Sequence, residues 1–178
     1  MAGASTTRPV WRLGLLARRT PPANRWSAGG LVPSAVLMPE PALPPHTRVS
    51  AEGPVEVWYL GARDLSLHPG DTGHYRDNLA SGRPSVWAVI RGIDPAAAEV
   101  LALTVDPYEG EGLAGDVALT VEALPIPPAL AAELAAYVEA HHVEIAFKKR
   151  QRQPADPNAL QSRAPRVLSP EQKWGPKR

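Results

Sequence analysis

The chain has 178 residues, of which 44% are hydrophobic, with 21 prolines, one phenylalanine and a formal net charge of +1. This length suggests a single domain with extensions, and the absence of cysteine excludes disulfides, thiol nucleophiles and cysteine-ligated metal or iron–sulfur sites. No run approaches the roughly 18 uninterrupted apolar residues of a membrane span, so no membrane contact is expected and the cytoplasm is the default location.

Charge is strongly segregated along the chain. Residues 1–20 hold four arginines and no acid, residues 21–147 hold six arginines and sixteen acids, and residues 148–178 hold nine lysines and arginines and two acids. Like-charge runs are usually disordered. We therefore expect a disordered N-terminus (1–9), one domain (10–147) and a disordered basic tail (148–178).

The first half of the chain is predicted to be mainly strand. A two-residue apolar period in VWRLGLLARR puts Trp11, Leu13, Leu15 and Ala17 on one side, which is typical of a half-buried strand. A second short strand is predicted for SAVLMPE, followed by an irregular, proline-rich connection over residues 39–54. A hairpin is predicted for VEVWYL and LSLH, with its turn at GARD.

A short helix is predicted for GDTGHYRDNLAS, with the Asp71 side chain as its N-cap and with Tyr75 and Leu79 on one face. Three strands are predicted after it, in PSVWAVIRG, EVLALTV and VALTVEA. The first of these is apolar on both faces and is therefore the best candidate for a central strand. The second is expected to end at DPYEGEG.

A terminal helix is predicted from PPALAAELAAYVEAHH, because apolar residues recur at the helical period. This stripe consists of Leu130, Leu134, Tyr137, Val138 and His141. The elements together indicate an α+β fold with an antiparallel or mixed sheet, two short helices and a C-terminal amphipathic helix packed on it.

Two groups of polar residues are candidates for chemistry. Adjacent residues on a helix point about 100° apart, so His141 and His142 do not naturally share one metal ion. We expect His141 to continue the buried stripe and His142 to lie at the negative end of the helix, where a cation is favoured. Asp71, His74 and Asp77 start a polar helix, a pattern that is usually structural. No catalytic residue, cofactor or metal ligand is predicted.

Two features raise the question of phosphate binding. The cluster Lys148, Lys149, Arg150 and Arg152 allows nucleic-acid binding as an alternative, although the acidic body and the absence of a recognisable stacking platform argue against it as the main role. The stretch SAGGLVP has no basic residue after its glycines before Arg48, so it is interpreted as a turn before a strand.

Several motifs carry a family resemblance over about residues 10 to 150, in this order: VWRLG, NRW, LSLH, HYRDNL, PSVW, DPYE, PIPP and AHHVEIAFKKR. Together they resemble a bacterial family with a domain of unknown function, whose genes typically stand beside those for molybdenum-dependent formate dehydrogenase and its maturation. The resemblance implies a non-enzymatic accessory or assembly protein. The alternative it leaves is a nucleotidyltransferase of molybdopterin-guanine dinucleotide biosynthesis, from whose pattern the glycine-rich stretch departs.

The expected partner is therefore a formate dehydrogenase subunit or maturation factor. Basic ends, an acidic body and loops rich in Tyr, Asn and Pro suit docking to another protein. The residues predicted to bind it are Tyr75, Asn78, Tyr108, Glu109, His142, Phe147, Lys148, Lys149 and Arg150.

Overall fold

The structure is a computed structural model and describes residues 9–22, 24–26 and 29–143. The predicted basic tail, together with Phe147, lies outside the described residues, as do residues 1–8. In the part of the chain that is described, no helix combines the length and the apolar character needed to cross a membrane.

Seven strands and three α-helices form the described part of the chain. In order they are β1 (Val10–Thr20), β2 (Gly30–Leu37), β3 (Thr47–Glu52), β4 (Val55–Ser66), α1 (Thr72–Ala80), β5 (Ser85–Arg91), β6 (Glu99–Thr104), α2 (Pro107–Leu113), β7 (Leu119–Pro125) and α3 (Pro128–His141). The strands form two antiparallel sheets, ordered β2-β1-β4-β3 and β6-β5-β7. The predicted α+β class is confirmed, with two sheets in place of the single sheet expected.

Strand β1 is the centre of the first sheet and follows its predicted pattern. Leu13, Leu15 and Ala17 are fully buried. The outward-facing Arg12 forms ion pairs with Glu40 and Asp64, each at 3.0 Å. The apolar face of β1 therefore lies in the core, as its two-residue period predicted.

The predicted hairpin around GARD is wrong, because β4 runs through it as one continuous strand. Gly61 has φ +118°, but this backbone forms a β-bulge rather than a turn: Leu15 pairs with Gly61 and Leu16 with Tyr59, which leaves Leu60 as the extra residue. The hairpin instead joins β3 to β4 at Gly53, where φ is +58°. Strand β3 lies inside the segment that was predicted to be irregular.

The second sheet has β5 at its centre, as predicted. Val86, Ala88 and Ile90 are fully buried. Strand β6 lies beside β4 and strand β7 beside β2, so the two sheets enclose one core, to which α1 and α3 contribute Tyr75, Leu130 and Leu134.

Helix α2 was not predicted, although its sequence contains the signals for it. Asp106 is its N-cap and Pro107 its first residue. The buried Gly110 lies against Trp87 of β5, and a Cβ at this position would overlap the indole atoms Cγ and Cδ1. The helix can therefore approach the sheet this closely only with glycine here.

Helix α3 buries Leu130, Leu134, Tyr137 and Val138. His141, expected in the same buried stripe, is exposed, and its ring lies on that of Tyr137 with centroids 4.3 Å apart. The physical reason is its position: His141 is the last helical residue and extends past the core that the preceding turns cover.

Glu56 of β4 joins three strands on the outer side of the first sheet. Its carboxylate accepts a hydrogen bond from Trp58 Nε1 (3.0 Å) and one from Arg48 of β3 (3.1 Å), and it forms an ion pair with Arg19 of β1 (3.5 Å). The indole hydrogen bond, followed by the bond from Arg48, lowers the pKa of Glu56 below its ordinary value of 4.5.

We expect Glu56→Gln to lower the acid sensitivity of the fold. A carboxyl group whose pKa is lower when folded stabilises the fold above its unfolded pKa, and this contribution is lost as the pH falls. Urea unfolding at pH 7 and at pH 3 should therefore show a smaller loss of stability for Glu56→Gln than for the wild type. Glu52→Gln, at the exposed end of β3, is the control and should keep the wild-type pH dependence.

Two glycines of α2 provide a matched test of its packing. Gly110→Ala should destabilise the fold by about 1 to 3 kcal/mol, because the Trp87 indole must move. No atom lies within 4 Å of a Cβ placed at Gly112. Gly112→Ala should therefore be neutral or stabilising by up to about 1 kcal/mol through helix propensity. Urea unfolding followed by tryptophan fluorescence measures both, and equal stabilities would contradict the packing of α2 on Trp87.

Candidate functional site

A histidine–carboxylate pair joins α1 to the start of α2. His74 Nδ1 lies 2.8 Å from Asp106 Oδ2. Because a carboxylate only accepts, the ring donates its Nδ1 proton in this contact. The His74 side chain is 42% exposed and that of Asp106 is 12% exposed, so the imidazole faces solvent while its partner is largely enclosed.

The carboxylate of Asp106 is held in place by backbone groups. Its Oδ1 accepts hydrogen bonds from the amides of Tyr108 (2.9 Å) and Glu109 (3.4 Å), the cap of α2. Its own amide donates to Thr104 Oγ1 (3.1 Å), and this hydroxyl donates to Glu109 Oε2 (2.6 Å). The orientation of Asp106 toward His74 is therefore fixed before any ligand arrives.

Asp71 completes a cluster of three possible ligands. One side-chain atom of each of Asp71, His74 and Asp106 lies within 4.8 Å of the others. Asp71 stands at the N-cap position of α1, as predicted, but its side chain makes no capping hydrogen bond. It ends a 3-10 turn (Pro69–Asp71) with φ −104° and ψ 11°, rather than the extended backbone of a usual N-cap, so the carboxylate is not directed at the first-turn amides.

Tyr108 and Asp77 complete the surroundings of the cluster. The Tyr108 ring lies over that of His74, with centroids 4.4 Å apart, and Tyr108 is 58% exposed. The sequence grouped Asp77 with Asp71 and His74. In the structure, Asp77 Oδ1 lies 4.0 Å from Arg76 Nε on the exposed side of α1. The residue that joins the cluster is Asp106.

The buried side chain of Asn78 holds this arrangement together. Its amide nitrogen donates to the carbonyls of Ser85 and Val105, both at 2.8 Å, and its oxygen accepts from the Ser85 amide at 2.9 Å. These bonds tie α1 to the start of β5 and to the residue that precedes Asp106.

Tyr75 is also an internal residue, at 3% exposed, and its hydroxyl accepts a hydrogen bond from the His68 amide at 3.0 Å. Burial, followed by the charges of Asp71 and Asp106, raises the pKa of Tyr75 to about 12. Asn78 is only 2% exposed. Tyr75 and Asn78, which were predicted to bind a partner, are therefore mostly buried in the fold, and their contact with a partner stays a prediction.

His142 links the end of α3 to α1. Arg76 Nη1 lies 3.0 Å from His142 Nε2, and His142 Nδ1 lies 3.2 Å from Thr72 Oγ1. A guanidinium can only donate, so Nε2 of His142 accepts in this contact. His142 is therefore a hydrogen-bonding bridge between α3 and α1, and the expectation that the helix end favours a cation there stays a prediction. Among the other predicted contacts, Glu109 is exposed, while Phe147, Lys148, Lys149 and Arg150 lie outside the described residues.

A cleft of about 540 Å³ lies beside these elements, between α1, α2 and the second sheet. Trp87 lines it together with the carboxylates of Asp77, Glu111 and Glu122 and the guanidinium of Arg83. The cleft is therefore acidic overall.

The sequence contained a usable signal for Asp106. In DPYE, an Asp at the N-cap is followed by Pro at the first helical position and Glu at the third, a standard helix start. A helix prediction there would have added Asp106 to the candidate site residues. It would not have given the distance between Asp106 and His74.

A family model described as "Protein of unknown function (DUF3305)" matches residues 12–151, which is most of the chain. No curated protein and no solved structure matches the chain significantly.

Replacing Asn78 tests whether it holds α1 to the second sheet. Asn78→Ala leaves one buried and two partly buried backbone groups without a side-chain partner, and we expect a loss of about 2 to 3 kcal/mol in the free energy of unfolding. Asn78→Asp keeps the shape but turns a carboxylate oxygen toward two carbonyls, so it should lose at least as much at neutral pH. Asp77→Asn is the control on the neighbouring exposed position. Urea unfolding measures all three, and a wild-type midpoint for Asn78→Ala would refute the role of this side chain.

Proposed function

We propose that the chain, which belongs to the DUF3305 family of proteins of unknown function, is a non-enzymatic accessory protein of a molybdenum-dependent formate dehydrogenase system in the cytoplasm. It acts by binding a formate dehydrogenase subunit or a maturation factor. The setting comes from the family resemblance of its sequence motifs. The mode of action, protein binding, comes from the surface described next.

The observation that carries the proposal is that α1 contacts both α2 and the end of α3 through side chains. His74 and Arg76 come from α1, Tyr108 and Glu109 from α2, and His142 from the end of α3. Two separate contacts make these links: the His74–Tyr108 ring pair, with centroids 4.4 Å apart, and the Arg76–His142 pair at 3.0 Å. We call these five residues the helix face.

The composition of the helix face suits recognition of a folded protein. Tyrosine and arginine are the residues most often found at the energetic centre of interfaces, because they combine apolar area with hydrogen bonding. Tyr108 is 58% exposed and is followed by the exposed carboxylate of Glu109. Its ring is already ordered against His74, so binding would cost little side-chain entropy.

Charge adds a second contribution. The nine lysines and arginines of residues 148–178 follow α3 in the sequence, after residues 142–147. A positive segment of this kind raises the association rate with an acidic partner surface. We therefore expect the association rate to depend on ionic strength. The dissociation rate should be determined by the exposed ring of Tyr108.

The test is direct binding of the full chain to purified formate dehydrogenase by biolayer interferometry. Tyr108→Ser should weaken binding by at least tenfold, because the ring would be a central contact. Ile93→Ser is the matched control. Ile93 is also an exposed apolar residue, 53% exposed, but it lies outside the helix face, just after the C-terminal end of β5. Its affinity should equal that of the wild type.

Three outcomes separate the parts of the proposal. Absence of binding by the wild type, together with normal formate oxidation in a deletion strain, would reject the formate dehydrogenase partner. Equal binding by Tyr108→Ser and wild type would keep the partner but reject the helix face. Equal loss in Tyr108→Ser and Ile93→Ser would show that the contact is a general hydrophobic one.

A further inference from the structure

We propose that Asp71, His74 and Asp106 bind a divalent transition-metal ion, with Zn²⁺ as the probe of choice. This site shares His74 with the helix face, but all three of its ligands belong to the isolated chain, so it can be tested without a protein partner. It also goes beyond the sequence prediction, which assigned no metal ligand. Asp106 is 32 residues away from His74 in the chain.

The donor set determines the class of ion. One imidazole nitrogen and two carboxylate oxygens are a mixed nitrogen–oxygen set, which suits Zn²⁺, Fe²⁺ and Mn²⁺. Ca²⁺ and Mg²⁺ prefer oxygen ligands only, and Mg²⁺ gives up its water reluctantly. A site containing His74 therefore favours the transition metals over these two ions.

The distances need only small changes to accept an ion. Two ligand atoms about 2.1 Å from one ion, at angles of about 90° to 110°, lie about 3.0 to 3.4 Å apart. His74 Nδ1 and Asp106 Oδ2 are already 2.8 Å apart. The third atom, from Asp71, is within 4.8 Å of the others, so it would have to move closer to share an ion with them. The ion would take the place of the Nδ1 proton, and the neutral ring would then carry its proton on Nε2.

The two main ligands are oriented by neighbours that would remain in place after binding. Asp106 keeps its second oxygen on the amides of Tyr108 and Glu109, the kind of outer contact that fixes a metal-binding carboxylate. The His74 ring is flanked by Tyr108 at 4.4 Å. The side chain of Asp71 makes no capping hydrogen bond that an ion would have to replace. Metal binding therefore exchanges one proton-mediated contact for three coordination bonds.

The site would keep open positions. Three protein ligands leave at least one place in a tetrahedral Zn²⁺ shell, and the His74 side chain is 42% exposed. Water, or a donor group from a bound molecule, would complete the coordination there.

The experiment uses the full chain without a histidine tag and after removal of metal by a chelator. Zn²⁺ binding is measured by titration calorimetry, and Co²⁺ absorption reports nitrogen and oxygen coordination. We expect one Zn²⁺ per chain, with the affinity lowered at least tenfold in His74→Gln, Asp71→Asn and Asp106→Asn. Asparagine is a good N-cap, so the last variant keeps the start of α2 while losing the charge. Excess Mg²⁺ should not displace Zn²⁺.

Two matched controls decide whether the ion is specific. Asp77→Asn removes an exposed carboxylate of the same helix, and His142→Gln removes another imidazole that contacts it. Both should bind Zn²⁺ as the wild type does. Equal weakening by these controls, or no weakening in Asp71→Asn and His74→Gln, would overturn the proposal and leave an adventitious ion only. Thermal unfolding of the metal-free variants identifies any change that merely damages the fold.

Discussion

The buried amide of Asn78 is the constraint on which the rest of this surface depends. Its three hydrogen bonds join α1 to Ser85, the first residue of β5, and to Val105, the residue that follows β6. His74 lies one helical turn before Asn78, and Asp106 directly follows Val105. The same bonds therefore set the relative position of both members of the His74–Asp106 pair. A polar group buried this deeply stabilises one arrangement only, because any shift leaves it unpaired.

Helix α1 transmits this position to the other two helices. Its His74 contacts Tyr108 of α2, and its Thr72 and Arg76 contact His142 at the end of α3. The paired histidines of the sequence are thereby explained without a shared metal ion: His141 lies on Tyr137, and His142 bridges two helices. The two histidines, which the sequence presented as one candidate site, lie at the end of α3. There His142 contacts α1, the helix that carries His74.

Periodicity along the chain predicted the elements whose burial is set locally, and failed where a distant neighbour decides the structure. The alternation in β1 was sufficient to predict that strand and its buried side. The two apolar faces of β5 were sufficient to predict it as a central strand. Gly61 was assigned to a turn because GARD contains the Gly and Asp typical of a hairpin turn, whereas pairing with Leu15 makes Gly61 part of a bulge. The same limit applies to the site: the sequence singled out Asp71 and His74, but only the packing of α2 brings Asp106 to them.

The close approach of α2 is itself set by the absence of a side chain. Because Gly110 has no Cβ, α2 rests directly on the Trp87 indole, and the Gly110 amide closes the first turn on the Asp106 carbonyl at 3.1 Å. A larger residue would move the whole helix outward, and with it the cap carboxylate and the Tyr108 ring. The geometry of the His74–Asp106 pair thus depends on a glycine–tryptophan contact that has no polar chemistry. For this reason, we expect a substitution at Gly110 to alter both the proposed metal binding and the proposed protein binding, and a substitution at Asp71 to alter only the proposed metal binding.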